Sequence, residues 1–106
     1  MILIQWSSPN LEEAKTLSRL LLERHLVACA SLIPHVQSYY WWQGKLEISE
    51  ETKVILKTEV RLFHAVQDFI VQHSSYKVPE ILKISVDEAL PAYQQWVLEE
   101  TQTALS

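Results

Sequence analysis

The sequence predicts an α+β fold, with one antiparallel four-stranded sheet, two helices on one of its faces, and a third helix at the end. Three observations lead there. The apolar pattern alternates between period two and period 3.6 in the order strand, helix, strand, strand, helix, strand, helix. Gln43-Gly44 separates two long strand-like runs in the manner of a hairpin turn, since Gly accepts a positive φ without steric cost. A chain of 106 residues, 48% of them hydrophobic, is long enough for a single domain with one modest core, expected over 1–106.

The first strand is expected over Met1 to Ser8, with Ile2, Ile4 and Trp6 on one face and Met1 and Leu3 on the other. Ser7-Ser8-Pro9 breaks it. Asn10 is a good N-cap, with Glu13 three residues on as in a capping box, for a helix running to about His25. Leu11, Ala14, Leu17, Ser18 and Leu21 form its inward stripe, widened by Leu20 and Leu22.

Val27 to Tyr39 is the second strand. Pro34 cannot donate a ladder hydrogen bond, which makes this an edge strand or one with a bulge. Lys45 to Thr58 is the third. A helix follows from about Val60 to His73, with Leu62, Val66, Phe69, Ile70 and His73 along its stripe. Val78-Pro79 is a stiff entry to a fourth strand, Ile81 to Val86. Pro91 sits at the favoured first position of a last helix, whose apolar face is Tyr93, Trp96 and Val97.

Two split βαβ units joined by a hairpin give a ferredoxin-like sandwich with strand order 4-1-3-2. Its expected core is Ile2, Ile4, Leu17, Leu21, Val54, Leu56, Val66, Phe69 and Ile84. Met1, Leu3 and Ile55 fall on the sheet face without helices, which is too apolar for water and calls for an oligomer. The single Gly implies few loops that need a positive φ.

Nine basic residues against thirteen acidic give a net charge of −4 with no basic run, which disfavours nucleic acid as a partner. No apolar run approaches the roughly 20 residues of a membrane span. One Cys cannot form an internal disulfide, and Met1 leads straight into a strand with no basic stretch before it, so a cytoplasmic setting is expected. There is no Gly-x-Ser-x-Gly elbow and no Gly-rich phosphate loop, so no enzyme is expected.

The segment Ser38-Tyr39-Tyr40-Trp41-Trp42-Gln43-Gly44-Lys45 concentrates four aromatics beside the turn. In an extended chain Tyr39 and Trp41 share one face, Tyr40 and Trp42 the other, and both faces cannot enter one small core. Such a cluster marks a contact surface, or else aromatics spread through the core.

With Leu26-Val27-Ala28-Cys29-Ala30-Ser31-Leu32-Ile33-Pro34, this aromatic segment extended by Leu46-Glu47, Ile55-Leu56-Lys57-Thr58, Tyr76-Lys77-Val78-Pro79-Glu80-Ile81 and Tyr93-Gln94-Gln95-Trp96, the chain resembles the CutA family of divalent-cation-tolerance proteins over nearly its whole length. The resemblance implies a ferredoxin-like fold, a tight homotrimer built through long hairpins of the second and third strands, and a link to heavy-metal tolerance. Tyr39, Tyr40, Trp41, Trp42 and Gly44 would then lie at the trimer interface. The family's copper binding has been tied to a Cys at the end of the first strand and a His-His pair after the second helix. Here Trp6 stands at the first place and His73-Ser74 at the second. Ser74-Ser75-Tyr76 replaces His-Pro-Tyr, and a Gly common before the last helix is replaced near Ala89.

The candidate soft ligands are Cys29, His25, His35, His64 and His73, none at a CxxC or HExxH spacing. His64 and His73 are nine residues apart on one helix, so at about 100° per step they face opposite ways. Cys29, flanked by Ala, suits a small buried hydrophobe. His73 is left as the metal candidate, though a helix C-terminus alone accounts for a His there. A tight copper site within one subunit is therefore not expected.

Among the carboxylates, Glu47, Glu50 and Glu51 with Lys45 and Lys53 fit a solvated strand end. Alternatively, Lys57, Tyr76, Glu80 and Glu47 form an intersubunit cleft that holds a divalent cation weakly through oxygen ligands, or a small anion through Lys57 and Tyr76 with Glu80 paired to Lys57. Two functions follow. One is a trimer that binds or responds to divalent or heavy-metal ions, copper among them. The other is a small-ligand signalling trimer like the PII-type regulators, an analogy of fold that the short Gln43-Gly44 turn speaks against.

Overall fold

The computed structural model describes residues 1–103, so the last three residues of the expected domain lie outside the described residues. The elements run β1 (Ile2–Ser8), α1 (Leu11–Glu23), β2 (Cys29–Trp42), β3 (Lys45–Thr58), a 3₁₀ turn (Val60–Leu62), α2 (Phe63–His73), β4 (Ile81–Ser85) and α3 (Pro91–Thr101). The sheet order is β2-β3-β1-β4, all pairs antiparallel, with β1 and β3 central as expected.

Helix α1 begins where Asn10 accepts a hydrogen bond from the Glu13 N–H at 2.8 Å. It ends two residues earlier than expected. His25 takes a left-handed conformation (φ 56°), and the N–H groups of His25 and Leu26 return to the carbonyls of Leu22 and Leu21. That pairing satisfies the last carbonyls of the helix and packs Leu26 against it. Leu26 and Val27 are buried there, so β2 starts at Cys29 rather than Val27. At its other end β2 runs on to Trp42 instead of stopping at Tyr39, because Tyr40, Trp41 and Trp42 pair with Glu47, Leu46 and Lys45.

Gln43 and Gly44 both have positive φ, 50° and 80°, as the tight two-residue turn of a right-twisted hairpin requires. Pro34 does both things its chemistry allows, lying on an edge strand and within a bulge. Pro34 and His35 together oppose only Thr52, and His35 takes φ 62°. Positive φ is thus adopted by His25, His35 and Gln43 as well as Gly44, so the scarcity of Gly does not mean that such positions are few.

Ile2, Ile4, Trp6, Val54 and Leu56 from the sheet meet Ala14, Leu17 and Leu21 of α1 and Val66, Phe69 and Ile70 of α2 in one core. Ile84 is a correction. It pairs with Leu3, and strand alternation turns both to the face without the two helices, where Ile84 is 40% exposed. Ile33, Ile55 and Leu82 share that face. Val97 of α3 is fully buried, whereas Trp96 is exposed and lies against Tyr93.

A Cβ at Gly44 would meet no atom within 4 Å, so its only cost is the positive φ. Gly44→Ala should therefore lower stability by about 1 kcal/mol. Gln43→Asn should raise it, Asn being better suited to that conformation. Urea midpoints at fixed protein concentration check both signs.

Candidate functional site

A cleft of about 550 Å³ opens on the sheet face away from α1 and α2, between the outer half of the β2–β3 hairpin and the segment leading into β4. The bulge decides what lines it. Past Pro34-His35 the alternation of β2 shifts by one, so Val36, Ser38, Tyr40 and Trp42 come to the same face as Glu51 and Lys53. Tyr40 and Trp42 form one wall and Tyr76 and Val78 the other. The Ser75 N–H meets the Glu13 carboxylate at 3.3 Å, and the Tyr76 N–H donates to Ser74 Oγ at 3.1 Å, which ties the second wall to α1.

The floor is a chain of polar contacts. Glu80 stands beside β1, its carbonyl accepting from the Ser7 N–H at 3.2 Å. Three donors converge on its Oε2: Ser7 Oγ at 2.7 Å, Lys53 Nζ at 2.9 Å and Gln5 Nε2 at 3.4 Å. Lys53 Nζ also donates to Ser7 Oγ at 2.6 Å and lies 4.0 Å from Glu51 Oε1. The Tyr76 hydroxyl donates to Glu51 Oε2 at 2.7 Å. Burial would raise the pKa of Glu80, but the bonds from Ser7, Lys53 and Gln5 outweigh it and hold the carboxyl below its ordinary value. Burial, and then the adjoining Glu51 carboxylate, push the Tyr76 phenol above its ordinary range, so it stays a donor.

Tyr76 and Glu80 both line this cleft. Lys57 does not join them: its ammonium lies 3.8 Å from Cys29 Sγ and 5.9 Å from the centre of the Tyr93 ring. The partner of Glu80 is Lys53, four residues back on the same face of β3. Glu47 lies opposite Tyr40 on the hairpin and is not among the cleft-lining residues. Glu51 is only 8% exposed, so it is no solvated strand end. The sequence reading misses Ser7 and Gln5, and it assigns Glu51 and Lys53 to a solvated strand end. Their signal was polar side chains in step on two neighbouring strands, opposite the apolar run of Ile2, Ile4, Trp6, Val54 and Leu56 on the other face.

On the opposite face of the hairpin, Tyr39 and Trp41 pair with Ile48 and Leu46, and this chain covers none of the four. Tyr39 is 65% and Trp41 74% exposed, and Trp42 on the cleft side is also open. Gly44 caps the same hairpin.

Among the described residues, no three of His, Cys, Asp and Glu converge as metal ligands would. His73 stacks on Phe69 with ring centres 4.2 Å apart and engages the Phe69 carbonyl through Nδ1 at 2.8 Å, leaving Nε2 as its ligating atom. Trp6 fills the core, and its indole nitrogen has no lone pair to offer a metal. His35 pairs with Glu50 beside the bulge, and His25 Nδ1 meets the Glu100 carbonyl at 2.9 Å. The residues present fit one weak imidazole ligand rather than a tight soft-metal site.

The family model for the CutA1 divalent ion tolerance protein matches residues 2–100. The chain belongs to the CutA1 family. The divalent-cation tolerance protein CutA of Pyrococcus horikoshii is 37% identical over 102 residues, which covers 96% of this chain and 99% of that protein. A crystal structure of CutA1 from the same organism superposes with a TM-score of 0.90 at 37% identity, over 95% of this chain and 98% of the other. The structure described as the periplasmic divalent cation tolerance protein CutA of Archaeoglobus fulgidus gives 0.92 at 34% identity, over 95% and 99%. Human protein CutA is 36% identical over 95 residues, or 90% of this chain, but the chain spans only 53% of its length. No helix among the described residues is long and apolar enough to cross a membrane.

The depressed pKa of Glu80 carries a sign. Its stabilising contribution is complete above the unfolded value of 4.5 and is lost as the pH falls through the lower folded value. Urea denaturation should show wild type more stable than Glu80→Gln at pH 7, with the gap closing as the pH is lowered below 4.5.

Proposed function

We propose that this chain acts in tolerance to divalent and heavy-metal ions, copper among them, as a cytoplasmic homotrimer that holds the metal weakly or responds to it. Family membership over residues 2–100 is the observation that carries the metal link. The uncovered hairpin face supports assembly. Tyr39, Trp41, Leu46 and Ile48 form an apolar surface that partner copies would bury, closing also over Tyr40, Trp42 and the Gly44 turn. The edge strands β2 and β4 are likewise open to pairing, and a closed ring protects such edges. No reaction is assigned to the chain.

The cleft favours a second reading, a trimer that binds a small ligand and signals. Its volume and its aromatic walls around a few placed polar groups are those of ligand sites. The two-residue turn at Gln43-Gly44 leaves this hairpin without the long partner-binding loop of PII-type regulators. Glu47, farther out on the same face, offers a further oxygen ligand where a partner copy closes the site.

Light scattering should give three times the mass of one chain, and Trp41→Ala should shift the mass toward the monomer. A monomer at micromolar concentration sinks the assembly. Copper titrated by calorimetry should bind at about micromolar strength or weaker, with affinity fading below about pH 6 as imidazole protonates, and His73→Ala should abolish it. Submicromolar binding that survives His73→Ala would move the site elsewhere, to Cys29 first.

A further inference from the structure

The polar floor of the cleft discriminates between ligand charges. An anion would need Lys53, but that ammonium already donates to Ser7 and Glu80 and faces Glu51. Taking it away would leave two carboxylates close together without a counter-charge. A metal ion bridging Glu51 and Glu80 would have to sit where Lys53 Nζ lies, between the two carboxylates, against its charge.

An organic cation needs neither displacement. All three donors to Glu80 use Oε2, and the Tyr76 hydroxyl uses Oε2 of Glu51. Oε1 of Glu80 keeps its acceptor capacity, and Oε1 of Glu51 has only the distant Lys53. Two carboxylates against one ammonium leave the floor net negative. Lys77 stands exposed on the rim, where solvent screens it. The aromatic residues Tyr40, Trp42 and Tyr76 also line the cleft, and the quadrupole of an aromatic ring attracts a cation to its face.

We propose that this cleft is a site for a small organic cation, an ammonium, amidinium or guanidinium carried on a flat or apolar body. The charged end donates to the free Oε1 of Glu80, and the body lies against Tyr76 and Tyr40. The inference rests on the small-ligand reading above and names the ligand class; it does not depend on the metal link.

Three probes of one shape test it: benzamidinium, neutral benzamide and benzoate, each titrated into the full chain by calorimetry and tryptophan fluorescence. Benzamidinium should bind, and benzamide and benzoate should each bind at least about tenfold more weakly, since hydrogen bonds to a charged group are roughly twice as strong. Tyr40→Leu keeps an apolar side chain but removes the aromatic ring, and should weaken benzamidinium by roughly three- to tenfold. Glu80→Gln should weaken it further.

Benzoate bound as tightly as benzamidinium overturns the proposal. So does manganese(II) alone displacing benzamidinium at equal concentration, or affinity unchanged in both variants. Light scattering on the same samples separates the readings. A trimer that binds no benzamidinium sinks this inference alone, while a monomer that keeps the preference sinks the assembly and supports the ligand class.

Discussion

One extra residue in β2 sets the use of everything beyond it. Side chains on a strand alternate with period two, so a single insertion moves each later residue to the other face. Leu32, before the bulge, faces the core opposite Val54. Without the bulge, Tyr40 and Trp42 would follow Leu32 in step, and Tyr39 and Trp41 would turn to the face of Glu51 and Lys53. Pro34 makes the insertion tolerable because an edge strand needs no donor there, and His35 absorbs the backbone reversal at φ 62°. The hairpin therefore has two unlike surfaces. One is apolar, with Tyr39, Trp41, Leu46 and Ile48; the other carries polar groups among its aromatics, with the Ser49 hydroxyl 3.2 Å from the Tyr40 oxygen.

The second organising group is the Lys53 ammonium. It holds two carboxylates from different parts of the chain within reach of each other, on a face that also bears Leu3 and Ile55. A pair so close to the surface contributes modestly to stability. Its larger effect is geometric. It anchors β3 to Ser7 of β1 and to Glu80 at the entry of β4, fixing the floor while Tyr76 fixes Glu51 from the side. The same ammonium occupies the space a bridging metal would take, which separates the family's link to metal tolerance from this cleft.

The fold was legible because its signals are local. The hairpin turn, the Asn10 cap, Pro91 and the apolar stripes each act over a few residues, and element order then leaves few topologies. The site was legible only by face. Lys57 and Lys53 share strand parity, so both were eligible partners for Glu80, but they stand about 13 Å apart along the strand. The choice between them depends on the Ser7–Lys53 register and on the turn that sets Glu80 beside Ser7, both non-local. Ile84 failed for a related reason: its apolarity suited either face, and the pairing with Leu3 decided.

The scarcity of Gly has its own physical resolution. A left-handed conformation costs a non-Gly residue roughly 1 kcal/mol or more, and His and Asn tolerate it better than branched residues do. At two of the three such positions the side chain returns a hydrogen bond that Gly could not make. His25 at the end of α1 reaches the Glu100 carbonyl of α3, and His35 in the bulge reaches Glu50 across the strand pair. Each bond joins elements that the reversal brings together, so the penalty at the backbone is offset by a contact only that backbone permits. Among the described residues Gln43 has no such bond, and Gly44 beside it takes the larger φ, 80° against 50°. The one Gly of the chain thus stands where no hydrogen-bonding side chain compensates the turn, at the tip of the hairpin whose two faces carry the aromatics.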